Sequence, residues 1–262
     1  MTDPRDAVAT ARLALACLDL TSLNADDDAR AIERLCERAI GRARHPLGPT
    51  AAVCVWPRFV AQARRALPAG IRVAAVANFP QGDLDLDRAL RDTEAIVSAG
   101  GDEVDLVLPW RAFASGRRRE AASVVAGVRR AAPQATLKLI LETGELIEPA
   151  LIREASLLGL DEGVDFLKTS TGKTAVSATR EAAAVMLRTI AHHARRADVG
   201  FKPAGGLRRV ADAAVYVELV RELLGPEALG PHRLRFGASA LLGEIEAVLC
   251  GLPTSSGPVS RY

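Results

Sequence analysis

The sequence predicts an α/β protein, a (β/α)8 TIM barrel with an extra N-terminal helix. Short runs of aliphatic and β-branched residues alternate with longer amphipathic stretches along the chain, and we count eight such runs. Some runs are almost wholly apolar, as in a parallel sheet that is covered on both faces. The length of 262 residues suits a single barrel domain.

The strand predictions follow the chain in order. An amphipathic segment at residues 6–14 predicts the extra helix ahead of the first strand. Each strand is expected where a short apolar run lies between turn-forming or polar residues. The eight predicted strands are residues 15–20, 51–55, 71–77, 103–108, 136–141, 163–168, 199–202 and 234–237.

Helices are predicted between the strands, where apolar residues recur at helical spacing. The first two open with acidic residues, the second stops at a Gly-Gly pair, and the third ends before a proline. The predicted helices are residues 26–40, 83–99, 117–132, 147–160, 179–196, 209–224 and 239–249.

Alternating strands and helices imply a parallel sheet with crossover helices, and eight repeats favour a closed barrel over an open doubly wound sheet. No internal segment has the Pro, Gly and Ser content of a linker. We therefore expect residues 1–262 to form one domain, with a mobile tail at about residues 252–262.

Composition argues against several partners. The 34 basic residues nearly cancel the 32 acidic ones, and aromatic residues make up 4% of the chain. Neither a strong electrostatic attraction to nucleic acid nor a stacking platform for single strands is expected. The N-terminal segment lacks a signal-peptide pattern, and no apolar stretch approaches the ~20 residues of a membrane span.

The cysteines predict a reducing compartment. The chain has four, and they form no C-x-x-C pair. The histidines have no metal-ligand spacing, so neither a disulfide framework nor a zinc site is expected. Together these observations predict a cytoplasmic protein that binds no metal, no nucleic acid and no membrane. The four cysteines are Cys17, Cys36, Cys54 and Cys250.

Two lysines each end a predicted buried strand and precede a polar, glycine-bearing loop. Lys168 closes one strand and is followed by TSTGK, and Lys202 closes the next and is followed by PAGG. Burial should lower the pKa of such a lysine, and a neutral lysine is a nucleophile. If the two nitrogens approach to about 4 Å at an effective dielectric near 20, their repulsion of ~4 kcal/mol would lower one pKa by about three units. The alternative is that both are structural lysines paired with inner carboxylates.

Other polar residues occupy the same strands. Asp105 should point into the barrel, where it could hold a water or a substrate hydroxyl, relay protons, or serve as a counter-ion for Lys202. Asp19 ends the first strand, with a turn or helix cap as the alternative. Lys138 lies deeper on the fifth strand, and Glu142 follows that strand. We include Asp19 and Lys138 as accessory candidates.

A phosphate site is predicted from the loops after strands seven and eight, which commonly bind phosphate in barrels. Gly205 and Gly206 follow strand seven, and Ser239 follows strand eight at the start of a helix. Lys173, five residues after Lys168, could reach the same anion. The alternative for the glycine pair is an ordinary turn.

Several segments together resemble the deoxyribose-phosphate aldolase family, and the likeness runs nearly end to end. FLKTSTGK and GFKPAGG, in this order, are highly specific to it. The segments are LDLT (18–21), AAVCVWPRF (51–59), NFP (78–80), DEVD (102–105), LETGEL (141–146), FLKTSTGK (166–173), GFKPAGG (200–206) and FGAS (236–239).

The resemblance implies a class I aldolase that needs no metal or other cofactor. Its reaction would be the reversible cleavage of 2-deoxy-D-ribose 5-phosphate to D-glyceraldehyde 3-phosphate and acetaldehyde. Lys168 would form the Schiff base, Lys202 would lower its pKa, and Asp105 would transfer protons through water. The resemblance also leaves a homodimer open, because relatives are often dimers.

The resemblance assigns the phosphate to Lys173, Gly205, Gly206 and Ser239, and it implies a proton-transfer role for a C-terminal tyrosine, here Tyr262. Two positions depart from the family pattern. Ala240 stands where the family often has a second serine, and Arg209 stands where it often has serine or threonine. The first departure puts phosphate affinity in doubt, and Arg209 is interpreted as a helix start.

Two alternative functions stay open at this point. The chain could be another Schiff-base aldolase or a transaldolase acting on a different sugar phosphate. It could also be a phosphate-binding barrel without catalytic activity.

Overall fold

The computed structural model describes residues 4–41 and 47–253. Eight parallel strands form one sheet with the order β7-β6-β5-β4-β3-β2-β1-β8. Their bounds are β1 Leu18–Thr21, β2 Ala52–Val55, β3 Arg72–Ala77, β4 Glu103–Val107, β5 Thr136–Ile140, β6 Phe166–Lys168, β7 Gly200–Lys202 and β8 Phe236–Ala238.

The sheet closes between β7 and β8. Isolated parallel bridges join Phe201 to Leu234 and Ala204 to Gly237. The N–H of Arg235 donates to the carbonyl oxygen of Phe201 at 3.1 Å. These contacts confirm the predicted (β/α)8 barrel. The carboxyl ends of the eight parallel strands lie at one end of the barrel, which we call the rim.

Helices surround the barrel, and an extra helix, α1, precedes β1 and packs against α10 and α11. The helices are α1 Pro4–Ala16, α2 Ala29–Ile40, α3 Val60–Ala66, α4 Leu86–Ser98, α5 Trp110–Ala114, α6 Arg118–Ala131, α7 Thr143–Leu146, α8 Pro149–Asp161, α9 Arg180–Ala191, α10 Val210–Leu224 and α11 Leu241–Leu249. Helices α3, α5 and α7 were not predicted from the sequence, because with 7, 5 and 4 residues they are too short for a clear helical period.

Capping explains why three helices begin later than predicted. The side chains of Asp28, Asp85 and Thr179 each accept a backbone N–H from the first turn, so they precede α2, α4 and α9 as caps. The first predicted strand also began too early, because the N–H of Cys17 still bonds the carbonyl oxygen of Leu13 and continues α1.

The end of α9 and the start of α11 differ from the prediction as well. α9 ends at Ala191 instead of continuing to residue 196, and the turns that follow let Arg195 donate to the carbonyl oxygen of Val164 at 2.8 Å. α11 begins at Leu241, with Ala240 as its N-cap, and not at Ser239. The predicted tail lies outside the described residues, except for 252 and 253.

Strand β4 shows how the fold builds the site. All five of its residues are buried. Val104 and Leu106 join the large apolar core that also contains residues of the surrounding helices. Since side chains alternate along a strand, Glu103 and Asp105 share the opposite face, which is the barrel interior. No helix in the described part of the chain is long and apolar enough to cross a membrane.

Candidate active site

Lys168 and Lys202 lie side by side at the ends of neighbouring strands. They are the last residues of β6 and β7 and are register partners. Both side-chain nitrogens bond the same atom, Oδ2 of Asp105, at 2.8 and 2.7 Å. The two nitrogens are therefore neighbours, no further apart than these two bonds laid end to end.

Asp105 is the centre of this arrangement. It has no exposed surface, and its Oδ1 accepts a hydrogen bond of 2.8 Å from Lys138, its register partner on β5. Burial by itself would raise the pKa of Asp105, but the three surrounding lysines hold it well below its ordinary value of 3.8. Asp105 is therefore an ionised carboxylate shared by three lysine side chains.

Lys202 has a second carboxylate partner, Asp19 on β1. Burial by itself would lower the pKa of Lys202, but Asp105 and Asp19 raise it above its ordinary value. Burial would raise the pKa of Asp19, but the nearby cations, Lys202 foremost, lower it. Asp19 is fully buried and engaged inside the barrel, so the alternative of a turn or helix cap is wrong. Lys202 keeps its proton in this environment.

Two charged residues of the barrel interior, Glu103 and Arg235, were not predicted from the sequence. Arg235 donates to Asp19 Oδ1 at 2.7 Å and to Glu103 Oε1 at 2.9 Å. Glu103 also accepts a hydrogen bond from Lys138. The signal for Glu103 was its position two residues before Asp105, which places both side chains on one face of the strand. The signal for Arg235 was a charged residue between the apolar residues Leu234 and Phe236.

The other side of the barrel interior is apolar. Cys54 belongs to this apolar cluster, and its Sγ lies 3.9 Å from Asp105 Oδ2. Burial raises the pKa of Cys54 to about 11, so the thiol keeps its proton. Trp56 and Trp110 pack against the cluster from the rim. The buried members are Leu23, Cys54, Ala74, Val76, Phe79, Val107 and Ile140.

The loops that follow β6, β7 and β8 meet at the same rim. The N–H of Gly205 points to the carbonyl oxygen of Gly237 at 3.4 Å. A Cβ added to Gly205 would lie 3.1 Å from the Cα of Gly172 and 2.5 Å from the side chain of Ser177. Because Gly205 also has a φ of +86°, only glycine suits this close approach.

The remaining phosphate candidates lie on these loops. Gly206 has a φ of +80° and no heavy atom within 4 Å of where a Cβ would be, so its surroundings are open. Ser239 is exposed after β8. Lys173 is exposed, and its Nζ donates to the carbonyl oxygen of Leu23 at 2.8 Å, which carries this positive charge across the rim towards β1.

Glu142 fixes the loop that carries Lys173. This buried carboxylate accepts the backbone N–H of Thr171 at 3.2 Å and the hydroxyl of Thr174 at 3.3 Å. The hydroxyl oxygen of Thr171 in turn accepts the N–H of Lys173 at 3.0 Å. Burial raises the pKa of Glu142. The sequence predicted that Glu142 follows the fifth strand, but it could not predict the contact of Glu142 with the loop that carries Lys173.

Three other residues complete the comparison with the sequence predictions. Tyr262 lies outside the described residues. Arg209 precedes α10 as its N-cap and pairs with Asp212 at 3.5 Å, in keeping with its interpretation as a helix start. Ala240 precedes α11 and offers no side-chain cap. Within residues 4–41 and 47–253, no group of three or more His, Cys, Asp or Glu side chains is placed to hold a metal ion.

Comparisons with known proteins agree with this architecture. A model described as DeoC/LacD family aldolase matches residues 13–242. A deoxyribose-phosphate aldolase of Agrobacterium fabrum (strain C58 / ATCC 33970) is 48% identical over 251 residues, which are 95% of this chain and 93% of that protein.

Solved structures share the fold. A Coccidioides immitis protein proposed to be a deoxyribose-phosphate aldolase is 27% identical, with a TM-score of 0.76 over 90% of this chain and 87% of its own. A Toxoplasma gondii ME49 protein with the same proposed activity is 24% identical and shares the fold, with a TM-score of 0.85 over 97% of this chain and 99% of its own. This chain therefore belongs to the DeoC/LacD family of aldolases.

Proposed function

We propose that this aldolase reversibly cleaves 2-deoxy-D-ribose 5-phosphate to D-glyceraldehyde 3-phosphate and acetaldehyde by a class I mechanism. The observation that carries the proposal is the shared hydrogen bonding of Lys168 and Lys202 to one carboxylate oxygen of Asp105. The substrate is supported by the 48% identity to a deoxyribose-phosphate aldolase.

Lys168 is the nucleophile in this proposal. As a free amine it attacks the aldehyde carbon of the open-chain sugar, water leaves, and a protonated imine forms on Nζ. Lys168 suits this role because it is 3% exposed, at the end of a strand that opens to the rim, whereas Lys138 and Lys202 are fully buried.

Carbon–carbon cleavage follows from the imine. The C3 hydroxyl gives up its proton, the bond between C2 and C3 breaks, and its electron pair moves to C2 as the imine becomes an enamine. The aldehyde product leaves, the enamine carbon gains a proton, and water hydrolyses the acetaldehyde imine. Asp105 stays ionised throughout, so we assign it to orienting Lys202 and a water that carry the proton.

The phosphate end of the sugar fits the glycine-rich rim. We propose that the backbone N–H of Gly206, the Ser239 hydroxyl and the Lys173 ammonium hold the phosphate, and that Gly205 provides the tight turn that presents them. The apolar side of the interior then faces the two-carbon unit on Lys168. Tyr262 keeps its proposed accessory role in proton transfer at the reacting carbon.

The wider setting of the enzyme is also part of the proposal. We propose that the whole chain acts as one catalytic domain in the cytoplasm, on a small sugar phosphate and acetaldehyde, without a cofactor. Cytoplasmic localisation rests on the four unpaired cysteines. The homodimer stays a prediction, and sedimentation equilibrium measures it.

Borohydride trapping tests the proposed function directly. With acetaldehyde and borohydride, a Schiff-base aldolase acquires a permanent ethyl group on its reactive lysine. The chain has four lysines, Lys138, Lys168, Lys173 and Lys202, so peptide mass mapping has few candidate sites. We expect the adduct on Lys168, and turnover of deoxyribose 5-phosphate well above that of fructose phosphates. No adduct would point to a non-catalytic barrel, and a reversed preference to another aldolase.

Lys202→Leu is expected to move the acidic limb of the pH–rate profile to higher pH by about two units. The ammonium of Lys202 opposes a second positive charge beside Asp105, so its loss favours the protonated form of Lys168. The fold should persist, because Asp19 still accepts a hydrogen bond from Arg235 and Asp105 still accepts one from Lys138. The measurement is kcat against pH, and an unshifted profile would contradict the role of Lys202.

Lys173→Met is expected to raise KM for deoxyribose 5-phosphate about 10- to 100-fold, the loss of one charge-assisted hydrogen bond. Turnover of unphosphorylated deoxyribose should hardly change, because that sugar lacks the anion. Arg153→Met on α8 removes an exposed positive charge away from the rim and serves as the control. An equal loss on both sugars would assign Lys173 to the chemical step instead.

A further inference from the structure

A second layer of charge lies beneath the reactive lysines. Arg235 on the strand segment before β8 and Glu103 on β4 are 6% and 1% exposed. They bond each other at 2.9 and 3.3 Å through two separate nitrogen–oxygen pairs. The guanidinium also lies over the ring of Phe166, 5.7 Å from its centre. We call Arg235 and Glu103 the lower pair.

The lower pair reaches Asp105 by two routes. Arg235 bonds Asp19 at 2.7 Å, and Asp19 bonds Lys202, which bonds Asp105 at 2.7 Å. Glu103 bonds Lys138, which bonds Asp105 at 2.8 Å. Glu103 thus contacts a partner of Asp105 directly, whereas Arg235 reaches one through Asp19. Glu103 is the first residue of β4 and Arg235 precedes β8, so both lie at the opposite ends of their strands from the rim.

A count of charges shows what this layer contributes. Three carboxylates, those of Asp19, Glu103 and Asp105, face three cations other than Lys168 within the same contacts. The cluster is balanced when Lys168 is a neutral amine, and it holds one excess positive charge when Lys168 is protonated. Removing either member of the lower pair changes this balance by one charge.

Resting on the proposed Schiff-base function, we propose that Arg235 and Glu103 are positioning residues that set the charge around Asp105 and thereby the pH at which Lys168 becomes a reactive amine. They act through Asp19 and Lys138. Their spacing from the rim separates this role from substrate binding.

The charged and titratable groups around Lys168 come from five strands and the segment that leads into β8. Cys54 adds no charge, since burial raises its pKa to about 11. The charge balance is therefore set by the carboxylates and cations alone. The groups are Asp19 on β1, Cys54 on β2, Glu103 and Asp105 on β4, Lys138 on β5, Lys202 on β7 and Arg235 before β8.

Two single variants test the proposal, because they change the charge in opposite directions. Glu103→Gln removes a negative charge and disfavours protonated Lys168, so the acidic limb should move down by about one pH unit. Arg235→Met removes a positive charge, so the acidic limb should move to higher pH by about the same amount. The readouts are the rate of borohydride trapping at Lys168 with acetaldehyde, and kcat, both against pH.

Two further variants separate charge from structure. Arg235→Lys keeps the charge but loses the two-pronged contact with Glu103, so stability should fall while the acidic limb stays in place. The double variant Glu103→Gln/Arg235→Met restores the charge count, so its limb should return towards the wild-type position. If Arg235→Met does not fold, Glu103→Gln and Arg235→Lys still decide the matter.

Each outcome has one reading. Opposite shifts, with no shift in Arg235→Lys, support the proposal. Rates that fall equally at all pH values, or limbs that move the same way, overturn it and leave the lower pair a structural element. Wild-type protein that traps no acetaldehyde would instead overturn the proposed function itself.

Discussion

Lys168→Ala is expected to abolish borohydride trapping of acetaldehyde and to lower kcat/KM for deoxyribose 5-phosphate by at least about 10⁴-fold. Alanine has no amine, so the imine that accepts the electron pair of the C2–C3 bond cannot form. The fold should persist, because Asp105 still holds hydrogen bonds from Lys138 and Lys202. The measurements are retro-aldol kinetics and peptide mass mapping after reduction.

Lys168→Arg is the matched control for charge. A guanidinium keeps a positive charge beside Asp105 but stays protonated at all accessible pH values, so it cannot form an imine. We expect it to be as inactive as the alanine variant while unfolding at a denaturant concentration closer to wild type. Trapping that survives in either variant would place the imine on another lysine.

The strand ends are the part of the site that could be predicted from sequence. Lys168 and Lys202 were found because polar residues at the ends of buried strands are costly and have few structural reasons to be there, and Asp105 because alternation along its strand points it into the barrel. Their common contact could not be predicted, because it depends on strand register and side-chain reach. Asp19 shows what the sequence could not decide. A carboxylate at a predicted strand end fits a turn cap as well as an interior ion pair, and only the pairing of β1 with β8 distinguishes the two.

The lower pair, Arg235 and Glu103, could not be predicted from the sequence for a related reason. Arg235 was counted as part of an apolar strand, and its partners Asp19 and Glu103 lie 216 and 132 residues away in sequence. The pairing of β8 with β1 brings Arg235 beside Asp19, and the closed barrel brings it opposite Glu103 on β4. Some predicted helix starts were wrong for a local reason. A cap residue such as Asp28 belongs to the acidic signal that marks a helix start, but it precedes the helix itself.

Asp105→Asn is expected to have the largest combined effect on stability and activity. The carboxylate accepts hydrogen bonds from three lysines, and an amide offers them no negative charge. Breaking such a buried charged contact typically costs about 3–5 kcal/mol of unfolding free energy. Without its anchor, Lys202 can no longer hold its proton at a fixed position, so kcat should fall by about 10²- to 10⁴-fold.

Guanidinium unfolding at neutral pH measures the loss of stability, and Asp161→Asn is the control. Asp161 is a carboxylate at the end of α8 with a side chain 69% exposed, paired with His193 at 3.2 Å. Exposed pairs of this kind contribute between about 0 and 1 kcal/mol, so the control should unfold close to wild type. An Asp105→Asn protein as stable as the control would mean that Asp105 is not the anchor of the charged cluster.

The same variant should change how stability depends on pH. The pKa of Asp105 in the folded protein lies well below its ordinary value of 3.8, so folding favours the ionised form. Its contribution is fully present above that ordinary value and is lost as the pH falls through the lower folded value. Wild-type stability should therefore decline on acidification below about pH 4, and Asp105→Asn should lack this part of the decline. An unchanged acidic slope in the variant would assign the acid sensitivity to other carboxylates of the cluster, Asp19 first, since its pKa is lowered as well.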